Sequence, residues 1–176
     1  MVMSEEVQAG LVRAVVRPDI ETVQLYEDEM VLVTNPEHPF AAIGEARLED
    51  VGREPFILLD KTSSYHSLVH GLFRQAGVVP WAVMELDSLE AAKKMVEEGL
   101  GIAMLPRVAV ERDVGLGTLT EIRLHDAEGP RRRITLIYRR NRRPSRTMVA
   151  FLSLLHETYG FEWPAGIGQP AFTVQR

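Results

Sequence analysis

The chain has no cysteine, which excludes disulfides, thiolate nucleophiles and cysteine-ligated metal. Positive charge is not in excess. The 20 Lys and Arg face 25 Asp and Glu, and the net charge of −5 argues against a generally nucleic-acid-binding surface, though not against a local basic patch. No apolar run approaches the ~20 residues needed to span a bilayer. The start, Met1-Val-Met-Ser-Glu-Glu, is acidic and short of apolar residues, so it shows no signal peptide. Neither an internal repeat nor a low-complexity tract is evident. These absences fit a cytoplasmic protein with no membrane partner. What is there is globular material: 176 residues, 45% hydrophobic, enough for one ordinary domain or two small lobes.

The most informative stretch is Asp87 to Pro106. Asp87 is placed to cap a helix, with Glu90 reaching back to it as a capping box. Leu89, Ala92 and Val96 share one face, while Glu90, Lys93, Lys94, Glu97 and Glu98 lie mostly on the wet side. Gly99 sits where a helix takes a left-handed residue at its end. Gly101 permits a tight turn. Ile102 to Leu105 is apolar on both faces, as a strand covered on both sides should be, and Pro106 ends it.

Around this segment, residues 11–17 and 21–25 read as short strands separated by a turn at Pro18-Asp19, and Met30–Thr34 as a further strand. Leu48–Val51 is one helical turn and Phe56–Leu59 a short apolar strand. The polar loop Asp60-Lys-Thr-Ser-Ser64 leads to a helix over 65–76, with Leu68, Val69, Leu72, Phe73 and Ala76 facing inward. Trp81–Leu86 alternates like a strand. Residues 107–112 read as a short helix, and Thr118–Leu124 and Ile134–Tyr138 as strands. A last amphipathic helix begins at Pro144-Ser-Arg, with Met148, Phe151, Leu152, Leu154 and Leu155 on or near its buried face. The Gly- and Pro-rich stretch 161–176 is expected to be a disordered tail. From Phe56 to Leu105 the order is β-α-β-α-β, which predicts a parallel sheet with right-handed crossovers.

Several clusters invite a chemical reading. Thr62-Ser63-Ser64 sets hydroxyls and backbone N–H groups at a helix start, where the dipole favours an anion; the plainer reading is a helix cap. His66 and His70, at i and i+4, have the spacing of a metal pair, but no third ligand is obvious, and a solvated or interface face is preferred. Ser63, Ser64 and His66 lack a Gly-x-Ser-x-Gly elbow and a credible orienting acid, so no catalytic set is assigned. Gly99-x-Gly101 follows a helix and precedes a strand, the reverse of a phosphate-binding turn, and no cofactor is implied. The eight arginines between Arg131 and Arg146 are read as positive flanks of an edge or crossover strand in preference to a phosphate patch.

Taken in order, Glu29–Val33, His38-Pro-Phe-Ala41, Leu48-Glu-Asp50, Pro55–Leu58, Glu90–Pro106 and Ile134–Tyr138 are similar to the C-terminal effector-binding domain of LysR-type transcriptional regulators, from about residue 1 to about residue 160. The resemblance implies an α/β fold of the type 2 periplasmic-binding-protein kind, with two α/β subdomains crossed twice by the chain and a small-molecule cleft between them. Residues 31–128 would be the second subdomain, and 1–30 with 130–160 an incomplete first one. The family's winged helix-turn-helix would precede residue 1, so the chain reads as a truncated member whose DNA contact belongs to the missing domain. The implied function is effector sensing, with no enzyme activity. The implied partners are a small anion or aromatic acid and further copies of the effector domain. Ser64 with Thr62 and Ser63, Ser4 and the strand end at Pro106 are the implied ligand contacts. The alternative is a stand-alone cytoplasmic solute-binding protein of the same fold.

Overall fold

The computed structural model describes Val2, Ser4 and residues 6–13, 17–140 and 144–163. In chain order these form β1 (Ala9–Arg13), β2 (Ile20–Thr34), α1 (Pro39–Ile43), β3 (Glu45–Ala46), α2 (Leu48–Val51), β4 (Phe56–Leu59) and α3 (Ser64–Gln75). There follow β5 (Ala82–Leu86), α4 (Leu89–Glu97), β6 (Ala103–Pro106), α5 (Arg107–Leu116), β7 (Thr120–Leu124), β8 (Arg131–Arg139) and α6 (Arg146–Tyr159). The chain separates into two compact units, Met1–Glu27 with Arg132–Arg176, and Asp28–Arg131.

The Asp28–Arg131 unit is built on period-two alternation in its central strands. Met30 and Leu32 of β2, Phe56 and Leu58 of β4, and Ile102 and Met104 at β6 face one cluster, closed by Val69 and Phe73 of α3. The intervening Val31, Val33, Ile57, Leu59, Ala103 and Leu105 face a second cluster, closed by Ala92 and Val96 of α4 and Val110 of α5. Apolar residues on both faces are what a covered sheet demands. The expected parallel core is present: β4 pairs in parallel with β5, and Phe56 bridges Ile102 in parallel. β6 then pairs antiparallel with β2, β2 antiparallel with β7, and β7 parallel with β3. The crossover from β4 runs outward to β5, and the next returns past β4 to β6. Two right-handed crossovers in opposite directions put their helices on opposite faces, which is where α3 and α4 lie.

The segment from Asp87 to Pro106 folds as helix, glycine stop and strand, with one difference. The helix cap is Ser88, whose Oγ accepts from Ala91 N at 3.3 Å. Asp87 stands one residue too early, and Glu90 pairs instead with Lys93 at 3.1 Å. Gly99 takes φ +71°. Gly101 is needed for close approach: a Cβ there would lie 2.6 Å from the Pro55 carbonyl oxygen, the same oxygen that accepts from Ile102 N at 2.8 Å. α5 runs to Leu116, longer than expected, because Lys93 ties it to α4. The ammonium donates to Asp113 Oδ2 at 2.8 Å and to the Ala109 carbonyl at 3.2 Å. The Asp113 hydrogen bond is the main reason that the Lys93 pKa lies above the ordinary lysine value.

In the other unit β8 lies between β1 and β2, so the strand flanked by arginines is central and not an edge. Its charges are answered by glutamates of β2: Arg133 meets Glu27 at 3.0 Å and Arg140 meets Glu21 at 2.6 Å. β1 pairs antiparallel with β8, from Ala9 opposite Tyr138 to Arg13 opposite Ile134. Leu136 and Tyr138 pack on Met148, Leu152 and Leu155 of α6, while Phe151 and Leu154 are exposed. β2 is a single strand of 15 residues, where two pieces were expected. Glu27-Asp28-Glu29 falls between those two pieces, and its glutamates are the outward positions of a continuous strand. The stretch 164–176 lies outside the described residues.

Two stability effects follow. Gly101→Ala forces β6 away from β4 and should lower the unfolding free energy by about 2 kcal/mol, read by urea denaturation. Lys93→Ala strands the half-buried Asp113 and should cost about 2 kcal/mol or more, whereas the double change Lys93→Met with Asp113→Leu should recover most of it.

Candidate functional site

α3 leaves the end of β4 toward one face of the sheet, and α5 leaves the end of β6 toward the other. Neighbouring parallel strands whose connections depart to opposite faces open a crevice at their carboxyl ends, the usual binding position of open α/β sheets. Thr62, Ser63 and Ser64 stand at the exit of β4. Pro106 is the last residue of β6 and the cap position of α5. Four of the five residues expected to contact ligand therefore flank this switch point. The fifth, Ser4, belongs to the other unit, where its exposed Oγ donates to Glu6 Oε1 at 2.7 Å.

The loop after β4 is organised by Asp60. Its Oδ1 accepts from Thr62 Oγ1 at 2.6 Å, Thr62 N at 2.7 Å and Ser63 N at 3.1 Å. The Thr62 hydroxyl, then its N–H, hold the Asp60 carboxyl below the ordinary aspartate range, with help from the Ser63 N–H and the charge of His66. Ser63 Oγ accepts from Tyr65 N at 3.3 Å and caps α3. Donors that the sequence suggested for a ligand are thus held by the loop itself, and Ser64 opens the helix as its first, half-buried residue. Across the crevice, the first turn of α5 has neither a side-chain cap nor an acidic residue, which leaves its N–H groups and dipole suited to an anion.

Two residues of this region were not found from the sequence. Tyr65, in the first turn of α3, donates its hydroxyl to Asp28 Oδ2 at 3.2 Å. Asp28 is only 2% exposed. Because Met30 pairs with Pro106 across antiparallel strands, Asp28 lies beyond the carboxyl end of β6, on the crevice side of the sheet. The available signal was the lone acid between Glu27 and Glu29 that a continuous strand must turn inward. Arg107, first in α5, is held outward by Glu121 at 2.7 Å and Glu29 at 3.3 Å.

His66 and His70 stack at 4.1 Å between ring centroids on the flank of α3. Among the described residues there is no group of three or more His, Asp or Glu able to hold a metal ion, and no helix is long and apolar enough to cross a membrane.

A family model described as the LysR substrate binding domain matches residues 1–160. The chain is 32% identical over 132 residues to a probable RuBisCO transcriptional regulator of Emiliania huxleyi, a match covering 71% of this chain and 42% of that protein. The chain spans less than half the length of the curated relatives it matches. In structure it resembles the regulatory domain of CcmR from Synechocystis PCC6803 in complex with 2-PG, with a TM-score of 0.77, 22% identity and coverage of 90% of this chain and 76% of that one. It also resembles the effector binding domain of QuiR in complex with shikimate, with a TM-score of 0.73, 21% identity and coverage of 90% and 75%. At such identities the likeness concerns the fold, which is the type 2 periplasmic-binding-protein-like α/β fold expected from the sequence. The mixed sheet with its switch point and the match over nearly the whole chain lead to one assignment: the chain belongs to the LysR substrate-binding domain family, the effector-binding domains of LysR-type transcriptional regulators.

Proposed function

We propose that the chain is the effector-sensing part of a cytoplasmic LysR-type regulator and that it takes a small organic anion at the crevice between the ends of β4 and β6. The observation that carries this reading is the switch point itself, with the Asp60-ordered loop on one side and the uncapped start of α5 on the other. The proposed contacts are Thr62, Ser63, Ser64 and Pro106, with Ser4 added on the resemblance alone. Tyr65 and Asp28 form a rigid polar floor. The relatives are transcriptional regulators, so binding and not catalysis is the proposed activity. The relative in complex with shikimate supports a hydroxylated ring carboxylate as the class to try first. A bound effector shifts the regulator only by the difference in its affinity for two states. DNA recognition is assigned to a winged helix-turn-helix outside these residues, and assembly to further copies of the effector domain.

A thermal-shift screen of hydroxy and aromatic carboxylates, shikimate included, identifies the best binder. Calorimetric titration of that binder should then show Ser64→Ala weaker by about 1 kcal/mol; an unchanged titration removes Ser64 from the site. Binding should also depend on Asp60. Its depressed pKa means that the loop's contribution is complete above the ordinary aspartate value and is lost only as pH falls through the lower folded value. The amide signals of Thr62 and Ser63, followed by NMR during acid titration, should shift with a midpoint below the ordinary aspartate range.

A further inference from the structure

The flank of the Asp28–Arg131 unit carries a cavity of about 790 Å³ between α3, the turn after it and the edge strand β5. Thr62, Ser63, Ser64 and Pro106 do not line it, so it is separate from the crevice above. Its floor is apolar, made by Leu58, Phe73 and Val78, and its rim is basic, made by Lys61, His66, His70 and Arg74, with Glu85 as the acid among the lining residues.

Two cations of this rim, Lys61 and Arg74, have no carboxylate partner among the described residues. Between residues 28 and 131 there are ten Lys and Arg. Seven of them (Arg47, Arg53, Lys93, Lys94, Arg107, Arg123 and Arg131) are paired with carboxylates. Of the other three, Lys61 and Arg74 both line the cavity. Arg74 sits in the last turn of α3, where the helix dipole holds a cation without using its donors. His66 lines the cavity with other ring atoms, since its Nε2 is fully buried and out of a ligand's reach. Burial first, then the neighbouring His66 and Lys61, keep the His70 pKa below the ordinary histidine value, with Glu85 opposing.

Gly71 supplies an independent sign. It lies inside α3, lines the cavity, and has open space where a Cβ would stand. A glycine in a helix interior costs about 1 kcal/mol relative to alanine, and here nothing crowds it. Its effect is to leave the cavity unfilled.

We propose that this cavity is a second ligand site, for a small organic anion with an apolar ring: the ring would rest on Leu58, Phe73 and Val78, and the carboxylate would meet Lys61 and Arg74, with His70 beside them. A metal cation is disfavoured, because Lys61 and Arg74 would repel it.

The test uses the full chain and 4-(trifluoromethyl)benzoate, followed by fluorine NMR line broadening, with the uncharged 4-(trifluoromethyl)benzamide as control. The proposal expects the benzoate to broaden at roughly millimolar concentration and the amide to broaden much less. Gly71→Leu should abolish the effect by filling the cavity, without lowering the thermal unfolding temperature, since the helix gains a better former. Lys61→Gln and Arg74→Gln should each weaken binding severalfold, and Glu85→Gln should strengthen it. Ser64→Ala, aimed at the crevice, should leave it unchanged. Absence of broadening, equal broadening by the amide, or indifference to Gly71→Leu would overturn the proposal. Loss in Ser64→Ala with retention in Gly71→Leu would place the benzoate in the crevice and overturn the second site while leaving the first intact.

Discussion

The approach of β6 to β4 is the constraint on which the Asp28–Arg131 unit depends. The Pro55 carbonyl accepts from Ile102 N, and only a residue without a Cβ fits at Gly101 beside it. Once β6 is seated there, its other edge receives β2 and, through β2, β7 and β3. The alternation of Ile102, Ala103, Met104 and Leu105 then feeds both cores at once. The same contact sets the two strand ends whose helices part company, so the crevice follows from backbone packing at a place remote from it. Lys93 completes the arrangement by holding α5 to α4, which fixes where the first turn of α5 points.

The loop at the crevice is held by its own hydrogen bonds. Asp60 gathers the Thr62 and Ser63 donors, and Tyr65 anchors to the buried Asp28. For the ligand proposed at the crevice, donors held within the protein mean fewer contacts but less loop ordering on binding. The flank cavity has the opposite character. Lys61 and Arg74 at its rim have no carboxylate partner among the described residues, and a helix glycine leaves open space beside them.

Much of this was legible in the sequence because the signals were periodic or steric. Phe56–Leu59 and Ile102–Leu105 are apolar at every position, which fits only a strand with both faces covered, and Gly99 and Gly101 mark the turn between helix and strand. The type 2 periplasmic-binding-protein-like fold and the LysR family came from a resemblance, carried by the ordered series of segments from Glu29–Val33 to Ile134–Tyr138. What was not legible depended on partners far away in the chain. Glu27 and Glu29 interrupt an apolar run, and only Arg133, Arg107 and Arg131 show them to be the outer side of one strand. Phe151 and Leu154 fall near the apolar stripe of α6 yet are exposed, since pattern alone cannot say how wide a face is covered. The choice between Asp87 and Ser88 as cap is a one-residue matter that backbone geometry decides. The capture of the Thr62 hydroxyl by Asp60, a competition between two nearby side chains, has no periodic trace at all.

The position of β6 also bears on how the unit assembles in time. A strand in the middle of the sheet must find neighbours on two sides. β4 lies on one side of it, reached through β5 and its two helices. β2 lies on the other, at the opposite end of the unit's sequence, with Met30 facing Pro106. Pairings between distant parts of a chain are the slow ones, since the loop entropy is spent before the contact returns anything. Until Pro106 has been synthesised and seated, the apolar edges of β2 and β4 have no common partner. Gly101 therefore sits where the β4–β5 pair meets the strands that pair with β2, joined by the Phe56–Ile102 bridge.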